Sequence, residues 1–268
     1  MMLQGWKDDI SETGGEVIRR EIQAFAERRG VNFLVHFTEA ENIPLIMAHG
    51  ILPRARFGRL PSAPKVNDEH RLDGRRNAVS VSIGFPNAPM FYSYRRGKPA
   101  DDWAVLVLRP DILWEKDCGF CRYNAADSRT SRLELPELRS VAAFSSMFSE
   151  IPGKLSRFTQ NLQPFDPTDE QAEVLVFDVI EPAYISGVAF DSEDVRWRYG
   201  SCLGGYNTHV YPPDRGLFGA RSYVLGRLAS LLKPQKAAGG GGSFPGGGNR
   251  HLKWLRKSEQ RYEWKLWV

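Results

Sequence analysis

The chain has 268 residues, and 42% of them are hydrophobic, including seven Trp and fifteen Phe, which is enough apolar material for one large globular domain or two small ones. The formal net charge is +4, and an odd number of cysteines, three, argues against a disulfide framework. The opening residues carry no apolar run typical of a signal peptide, and no stretch of about eighteen apolar residues occurs, so the sequence predicts a soluble cytoplasmic protein without a membrane segment.

The first half of the chain predicts alternating helices and strands. Apolar residues at helical spacing predict a helix over 10–29, NFLVHFT predicts a strand, and EAENIPLIMAHG predicts a short helix that ends at its glycine. Residues 53–77 are rich in Arg, Pro and Asn and predict a long loop. The stretches NAVSVSIGF and WAVLVLRPDILW predict strands, with a helix in APMFYSYRRG between them.

The second half is less regular. Residues 115–170 show little periodicity outside LRSVAAFSSMFSEI, so they predict a long excursion before the strands in TDEQAEVLVFDVI and YISGVAF. A short helix is predicted in YVLGRLASLL and a terminal strand in QRYEWKLWV. The stretch AAGGGGSFPGGG between them lacks the Lys-Ser/Thr pair of a phosphate-binding loop and predicts a flexible spacer.

Positive charge is concentrated near the C-terminus. From Arg196 onward the chain carries thirteen Lys and Arg against three acids, a balance of +10, which leaves −6 for residues 1–195. Trp254, Trp264 and Trp267 are interleaved with these cations. Such a segment suits a phosphate backbone with stacked bases, and it equally suits a solvated face over an aromatic core, so charge alone leaves both readings open.

One carboxylate stands at the mouth of an apolar strand. In AEVLVF the alternation places Glu173 and Leu175 on one face and Ala172 and Val174 on the other, so both faces are mostly apolar. A glutamate that enters such surroundings needs a partner or a chemical role, whereas a glutamate at a sheet edge would simply stay hydrated.

A histidine occupies a similar position in the strand FLVHFT. His36 shares a face with Leu34 and Thr38, and a lone histidine there is more often a satisfied core residue than a ligand contact. An imidazole, a hydroxyl and the Glu173 carboxylate on neighbouring strands would together form a polar notch in an apolar sheet, which indicates a small-molecule site.

The sequence gives little support for a metal site or for a catalytic Ser or Cys nucleophile. Cys118 and Cys121 form a CGFC pair, but Cys202 and the available histidines supply no recognisable second half of a zinc site. No nucleophile elbow or equivalent local signature occurs either. The sequence therefore predicts a site without metal.

Five stretches in one order, HFTEAENIPLIMAHGIL, RLDG, APMFYSYR, WEKDCGFCRYNAA and QAEVLV, resemble the DarT family of bacterial single-stranded-DNA ADP-ribosyltransferases over roughly residues 33–190. The resemblance implies an α+β ADP-ribosyltransferase fold with a split mixed β-sheet core and flanking helices, and NAD as a substrate. It implies a helical extension over 1–30 and one transferase domain over 31–268, with a substrate loop at about 115–172 and a Gly-rich flexible loop at 239–248.

The resemblance also assigns residues. The catalytic residues would be Glu173 and Arg71, with Arg71 pairing with the pyrophosphate of NAD, steadying the carboxylate, or forming a loop salt bridge. The expected NAD contacts are His36, Phe37, Thr38, Arg71, Met90 and Tyr92, and the residue that stacks on the nicotinamide stays open among Met90, Phe91, Tyr92 and Tyr94. A single strand needs a basic surface, so the expected nucleic-acid contacts are Arg122, Asn124, Arg129 and Arg132 in the substrate loop. The tail residues Lys253, Arg256 and Lys257 are further candidates, for which a solvated face is an equal alternative.

The acceptor is less well defined. Asn124 stands where the thymine-directed branch of the family has a histidine, and RLDG and PMFYSYR look more like the guanine-directed branch, so guanine is favoured and thymine stays open. Members of the family are toxins paired with an antitoxin that hydrolyses ADP-ribose adducts, which implies such a partner here. RNA or protein as acceptor, or a non-enzymatic nucleic-acid-binding module, are the alternatives.

Overall fold

The computed structural model describes residues 4–67, 72–212 and 214–222. Several predicted features lie outside these ranges: Arg71, the helix in YVLGRLASLL, the glycine-rich loop 239–248, the tail cations Lys253, Arg256 and Lys257, and the strand in QRYEWKLWV.

Within the described residues, seven strands form one mixed sheet. They are β1 Leu34–Glu39, β2 Val79–Ile83, β3 Trp103–Leu108, β4 Cys118–Cys121, β5 Glu173–Val176, β6 Ile185–Phe190 and β7 Asn207–Val210. Their spatial order is β4-β5-β2-β1-β3-β6-β7. All neighbours are antiparallel except β6 and β7, which are parallel. Glu173 therefore opens an interior strand rather than an edge strand.

Helices flank this sheet. The described residues contain α1 Gln4–Arg29, α2 Ile43–His49, α3 Ala88–Gly97, α4 Ile112–Glu115, α5 Ser128–Ser131, α6 Leu135–Leu138, α7 Val141–Ser146 and α8 Glu193–Gly200. Short 3-10 turns occur at Ala40–Asn42, Arg54–Arg59, Pro182–Tyr184 and Gly216–Phe218. None of the helices in this described part is long and apolar enough to cross a bilayer. The predicted α+β class, a mixed sheet with flanking helices, is confirmed.

The core lies on both faces of the central strand β3. Its residues are at most 2% exposed. Leu106 and Leu108 belong to the larger cluster, which also contains residues of α1, α2 and α7, while Val105 and Val107 pack in a second cluster with Phe91 of α3. Burial on both faces explains why this strand is a continuous apolar run.

The sheet splits between β1 and β2. These strands pair at only two positions, Leu34 with Ile83 and Val35 with Ser82. Beyond them, β1 continues to pair with β3 as far as Glu39, whereas β2 turns to pair with β5. The two strands thus open a gap between them.

Residues 115–172 are more ordered than their sequence pattern predicts, because they contain β4 and α5 to α7. β4 is the four-residue CGFC stretch, too short to show an alternation. Gly119 lies beneath the Phe177 ring, which a Cβ would approach to 3.2 Å. Both cysteines of β4 are buried, and burial raises the pKa of Cys121 to about 12. They are neutral packing residues, and the described residues contain no cluster of three metal-ligating side chains.

Candidate active site

The gap between β1 and β2 leads into a cavity of about 330 Å³. Side chains from both separated strands line it, and the carboxylate of Glu173 reaches it from β5. His36 and Thr38 lie on the β1 wall, while Ser80 and Ser82 lie on the β2 wall. The polar notch predicted from the sequence is therefore a real juxtaposition of His36, Thr38 and Glu173.

Glu173 is held by hydrogen-bond donors from several segments of the chain. Its Oε1 accepts hydrogen bonds from Asn124 Nδ2 at 2.8 Å and Asn87 Nδ2 at 3.2 Å. Its Oε2 lies 3.3 Å from the backbone nitrogen of Ala125. Only 6% of the residue is exposed, so the direction of the carboxylate is fixed before any ligand binds.

Burial dominates the electrostatics of this carboxyl group. Desolvation raises the pKa of Glu173, and hydrogen bonds from Ser80, Asn87 and Ala125 act in the opposite direction because they favour the ionised form. The nearby carboxylate of Asp73 raises the pKa further. The result is a carboxyl group that takes up a proton more readily than an exposed glutamate, which suits a general base.

His36 bridges the gap where the backbone ladder ends. Its Nδ1 lies 2.9 Å from the carbonyl oxygen of Ser80. A carbonyl can only accept, so Nδ1 carries the hydrogen, and in the neutral ring Nε2 has the lone pair. The side chain thereby fixes its own tautomer and ties β1 to β2 across the split.

Thr38 is connected to the loop that covers the cavity. Asn42 Nδ2 donates to Thr38 Oγ1 and to the carbonyl of Lys65, each at 2.9 Å, and Asn42 Oδ1 accepts from the Lys65 nitrogen at 2.8 Å. Asn42 is 5% exposed. Residues 53–67 are thus anchored to β1 through one buried amide, and Arg54 and Lys65 of this segment supply positive charge to the cavity wall.

Helix α3 forms another wall of the cavity, and its position corrects the expectation that Tyr92 lines that wall. Met90 and Tyr94 line the cavity, four residues apart and on one face of the helix. Tyr92 is on the opposite side, outside the cavity, and 51% exposed. Phe37 lines the cavity and stacks on Phe91, with their ring centroids 4.7 Å apart. The expected wall of Met90 and Tyr92 is therefore made by Met90 and Tyr94.

The expected nucleic-acid contacts are dispersed. Asn124 lies at Glu173, whereas Arg122 donates to the carbonyl of Glu150 at 2.7 Å. Arg129 is exposed and forms an ion pair with Asp127, and its guanidinium carbon lies 3.6 Å from the Tyr123 ring centroid. Arg132 is exposed on the surface after α5. Among these four residues, only Asn124 lines the cavity.

A family model supplies the deciding comparison. The model of DarT, described as "ssDNA thymidine ADP-ribosyltransferase, DarT", matches residues 35–212. The chain belongs to the DarT family. The match begins at β1 and ends just after β7, so it contains the sheet from Val35 on, with both walls of the cavity. No curated protein matches the chain.

Solved structures of DarT proteins are similar to this chain. Thermosipho africanus DarTG in complex with ADP-ribose is 20% identical over 70% of this chain and 51% of its own, with a TM-score of 0.48. The chain thus spans about half the length of that protein. Thermus sp. 2.9 DarT in complex with carba-NAD+ is 15% identical over 68% of this chain and 96% of its own, with a TM-score of 0.46. The same protein in complex with ADP-ribosylated ssDNA is 15% identical over 68% of this chain and 95% of its own, with a TM-score of 0.46.

The structure adds residues to this DarT site that the sequence did not single out. Asn87 precedes Ala88 and Pro89 at the start of α3, which is a helix-capping signal, and the side chain accepts from the Met90 nitrogen at 3.3 Å. That signal predicts a cap but gives no hint that the same amide reaches Glu173. Asn42, Ser80 and Arg54 carry no distinguishing local pattern.

Proposed function

We propose that this DarT-family chain transfers ADP-ribose from NAD to a base of single-stranded DNA and releases nicotinamide. The observation that carries the proposal is the buried Glu173 carboxylate, held by Asn87 and Asn124 in one cavity with His36 and Thr38. The family match supports the reaction class.

In this proposal NAD enters the gap between β1 and β2. His36, Phe37 and Thr38 contact the nicotinamide and its ribose, and Met90 and Tyr94 close the wall on the helix side. The pyrophosphate carries two negative charges and needs cations. Arg54 and Lys65 line the cavity and can supply positive charge, and Arg71 follows them in the sequence.

The reaction breaks the bond between the anomeric carbon and the nicotinamide nitrogen, and the electron pair leaves with nicotinamide. Positive charge then develops on the ribose, as in glycoside cleavage, and the Glu173 carboxylate stabilises it. The acceptor nitrogen attacks the anomeric carbon, and its proton passes to Glu173 as general base. The glycosidic C–N bond and the acceptor N–H bond break, and a new C–N bond and a carboxyl O–H bond form, so no oxidant or reductant is required.

Guanine is the favoured acceptor, with thymine as the alternative. The motifs RLDG and PMFYSYR and the presence of Asn124 in place of a histidine support guanine. Asn124 is at the carboxylate, where an extruded base would have to lie for its proton to be removed. The chain would then act as a cytoplasmic toxin, and an antitoxin that hydrolyses the ADP-ribose adduct is the expected partner.

The test is incubation with labelled NAD and single-stranded oligonucleotides that differ in one base, beside duplex DNA, RNA and a protein mixture. We expect an ADP-ribose mass adduct on guanine-containing single strands and none with Glu173→Ala. An adduct only on RNA or protein would show that the acceptor is that molecule and not DNA. The absence of an adduct on any acceptor would overturn the proposal. Folding of Glu173→Ala is checked by its circular dichroism spectrum.

A further inference from the structure

A second concavity lies on the other side of α3. It has a volume of about 630 Å³, and we call it the α3 groove. Its lining combines the aromatic residues Tyr92 and Phe218 with two cations, Arg95 and Arg215, and two carboxylates, Glu170 and Asp214. None of the roles described above uses this groove.

The α3 groove is next to the catalytic cavity. Pro89 lines the groove, and its neighbour Met90 lines the cavity, so the first turn of α3 separates the two. On the opposite side, Glu170 lies only three residues before Glu173. This adjacency suits a polymer with its reacting unit at Glu173 and an adjacent unit in the groove.

An exposed aromatic ring is held at the groove. Tyr92 is 51% exposed, and Arg96 Nη1 lies 3.3 Å from its hydroxyl oxygen, with the guanidinium carbon 5.8 Å from the ring centroid. A ring that is already oriented loses little conformational freedom when a flat partner stacks on it. Every nucleobase offers such a flat face.

Cations accompany this ring. Arg95 donates to the carbonyl of Phe218 at 2.8 Å, and its guanidinium carbon lies 5.3 Å from the Phe91 ring centroid, which fixes its position on the groove wall. Arg215 is exposed at the groove, and Arg96 is exposed beside Tyr92. Guanidinium groups next to an aromatic plane match the alternating phosphates and bases of a single strand.

We infer that the α3 groove binds the nucleotide adjacent to the modified base, with its base stacked on Tyr92 and its phosphate at Arg95, Arg96 and Arg215. This inference rests on the proposed function, because it assumes a single-stranded DNA acceptor at Glu173. It assigns Tyr92 to the acceptor strand rather than to NAD.

The test compares Tyr92→Ala with Tyr92→Phe, which keeps the ring. We expect Tyr92→Ala to raise the KM for a single-stranded oligonucleotide about tenfold while the KM for NAD stays unchanged, and Tyr92→Phe to resemble the parent. Trp197→Ala, which removes an 86% exposed aromatic on α8, is the matched control and should leave both constants unchanged. Equal DNA constants for Tyr92→Ala and the parent would overturn the inference.

A direct binding measurement separates this inference from the proposed function. Fluorescence anisotropy of a labelled oligonucleotide should show weaker binding by Tyr92→Ala but not by Tyr92→Phe, whether or not ADP-ribose is transferred. In the same assay, Arg215→Gln should reduce the slope of log affinity against log salt by about one. A parent protein that binds the oligonucleotide through Tyr92 but forms no adduct would sink the proposed reaction alone.

Discussion

Asn87 links the start of a helix to the candidate catalytic carboxylate: its Oδ1 accepts from the Met90 nitrogen, and its Nδ2 donates to Glu173 Oε1 at 3.2 Å. The two residues are 86 positions apart in the chain. One side chain thus couples the orientation of α3, which forms a wall of the cavity, to the orientation of Glu173.

Replacing Asn87 should separate these two tasks. Asn87→Ala removes a hydrogen bond to a charged group and should lower kcat/KM about 10- to 100-fold, with about 1 kcal/mol lost from the helix cap. Asn87→Asp keeps the cap but places a second carboxylate beside Glu173, which should raise the pKa of Glu173 further. Steady-state kinetics and urea denaturation measure the two effects. Full activity in both variants would contradict this role.

The pH dependence follows from the raised pKa of Glu173. In the proposed mechanism the ionised carboxylate is the active form, so kcat/KM should fall as the pH is lowered through this pKa, at a pH above the ordinary glutamate value of about 4.3. Asn124→Ala removes a donor to the charged form and should move the acidic limb to still higher pH. A pH–rate profile checks both statements. An acidic limb at the ordinary value in both proteins would refute them.

The two faces of α3 predict opposite kinetic effects for its tyrosines. Tyr94→Ala removes a cavity wall and should raise the KM for NAD several-fold, because the ring is part of the apolar lining. Tyr92→Ala should leave the KM for NAD unchanged, since Tyr92 lies outside the cavity. Titration of NAD at saturating oligonucleotide distinguishes them. The assignment of the two faces is wrong if Tyr92→Ala has the larger effect on NAD.

The segment before Glu173 depends on Arg157. Its Nη1 donates to the carbonyl of Asp166 at 2.7 Å and to Thr168 Oγ1 at 2.8 Å, and its Nη2 donates to the carbonyl of Gln163 at 2.7 Å. Asp166 and Thr168 are at most 1% exposed. Arg157→Ala leaves these buried acceptors without their donor and should cost about 2 kcal/mol of unfolding free energy.

Urea denaturation measures the effect of Arg157→Ala, and hydrogen exchange should show faster opening of residues 163–172. Arg20→Ala is the control, because it removes an exposed arginine paired with Glu16 within α1 and should change stability by less than about 0.5 kcal/mol. Equal midpoints for the two variants would show that the network around Arg157 adds nothing.

The sequence predicts the strand residues of the site well, because alternation fixes the face on which a strand side chain lies. Glu173 on its interior strand and His36 with Thr38 on β1 follow from a period of two. Helix α3 is harder to predict, because its apolar residues Met90, Phe91, Tyr92 and Tyr94 surround the axis and leave the cavity face undefined. The sequence therefore left the choice between Tyr92 and Tyr94 open, and only Tyr94 lines the cavity.

The site residues that the sequence did not predict make their contacts with segments far away in the chain. The bond from Asn87 to Glu173 and the anchoring of Lys65 by Asn42 depend on how distant segments meet, which no local pattern encodes. β4 was missed because CGFC has only four residues and contains a glycine, Gly119. This glycine lies beneath the Phe177 ring, where a side chain would be crowded. Capping signals were visible at Asn87, but a cap predicts a helix start and nothing about a second partner.

The split in the sheet has a mechanical consequence. Glu173 belongs to the half formed by β4, β5 and β2, and His36 belongs to the half formed by β1, β3, β6 and β7. Two backbone pairs, Leu34 with Ile83 and Val35 with Ser82, join these halves at their seam. The His36 ring connects them as well, through its hydrogen bond to the Ser80 carbonyl. In the proposed function, the distance between the residues expected to contact NAD on β1 and the Glu173 carboxylate therefore depends on these four seam residues.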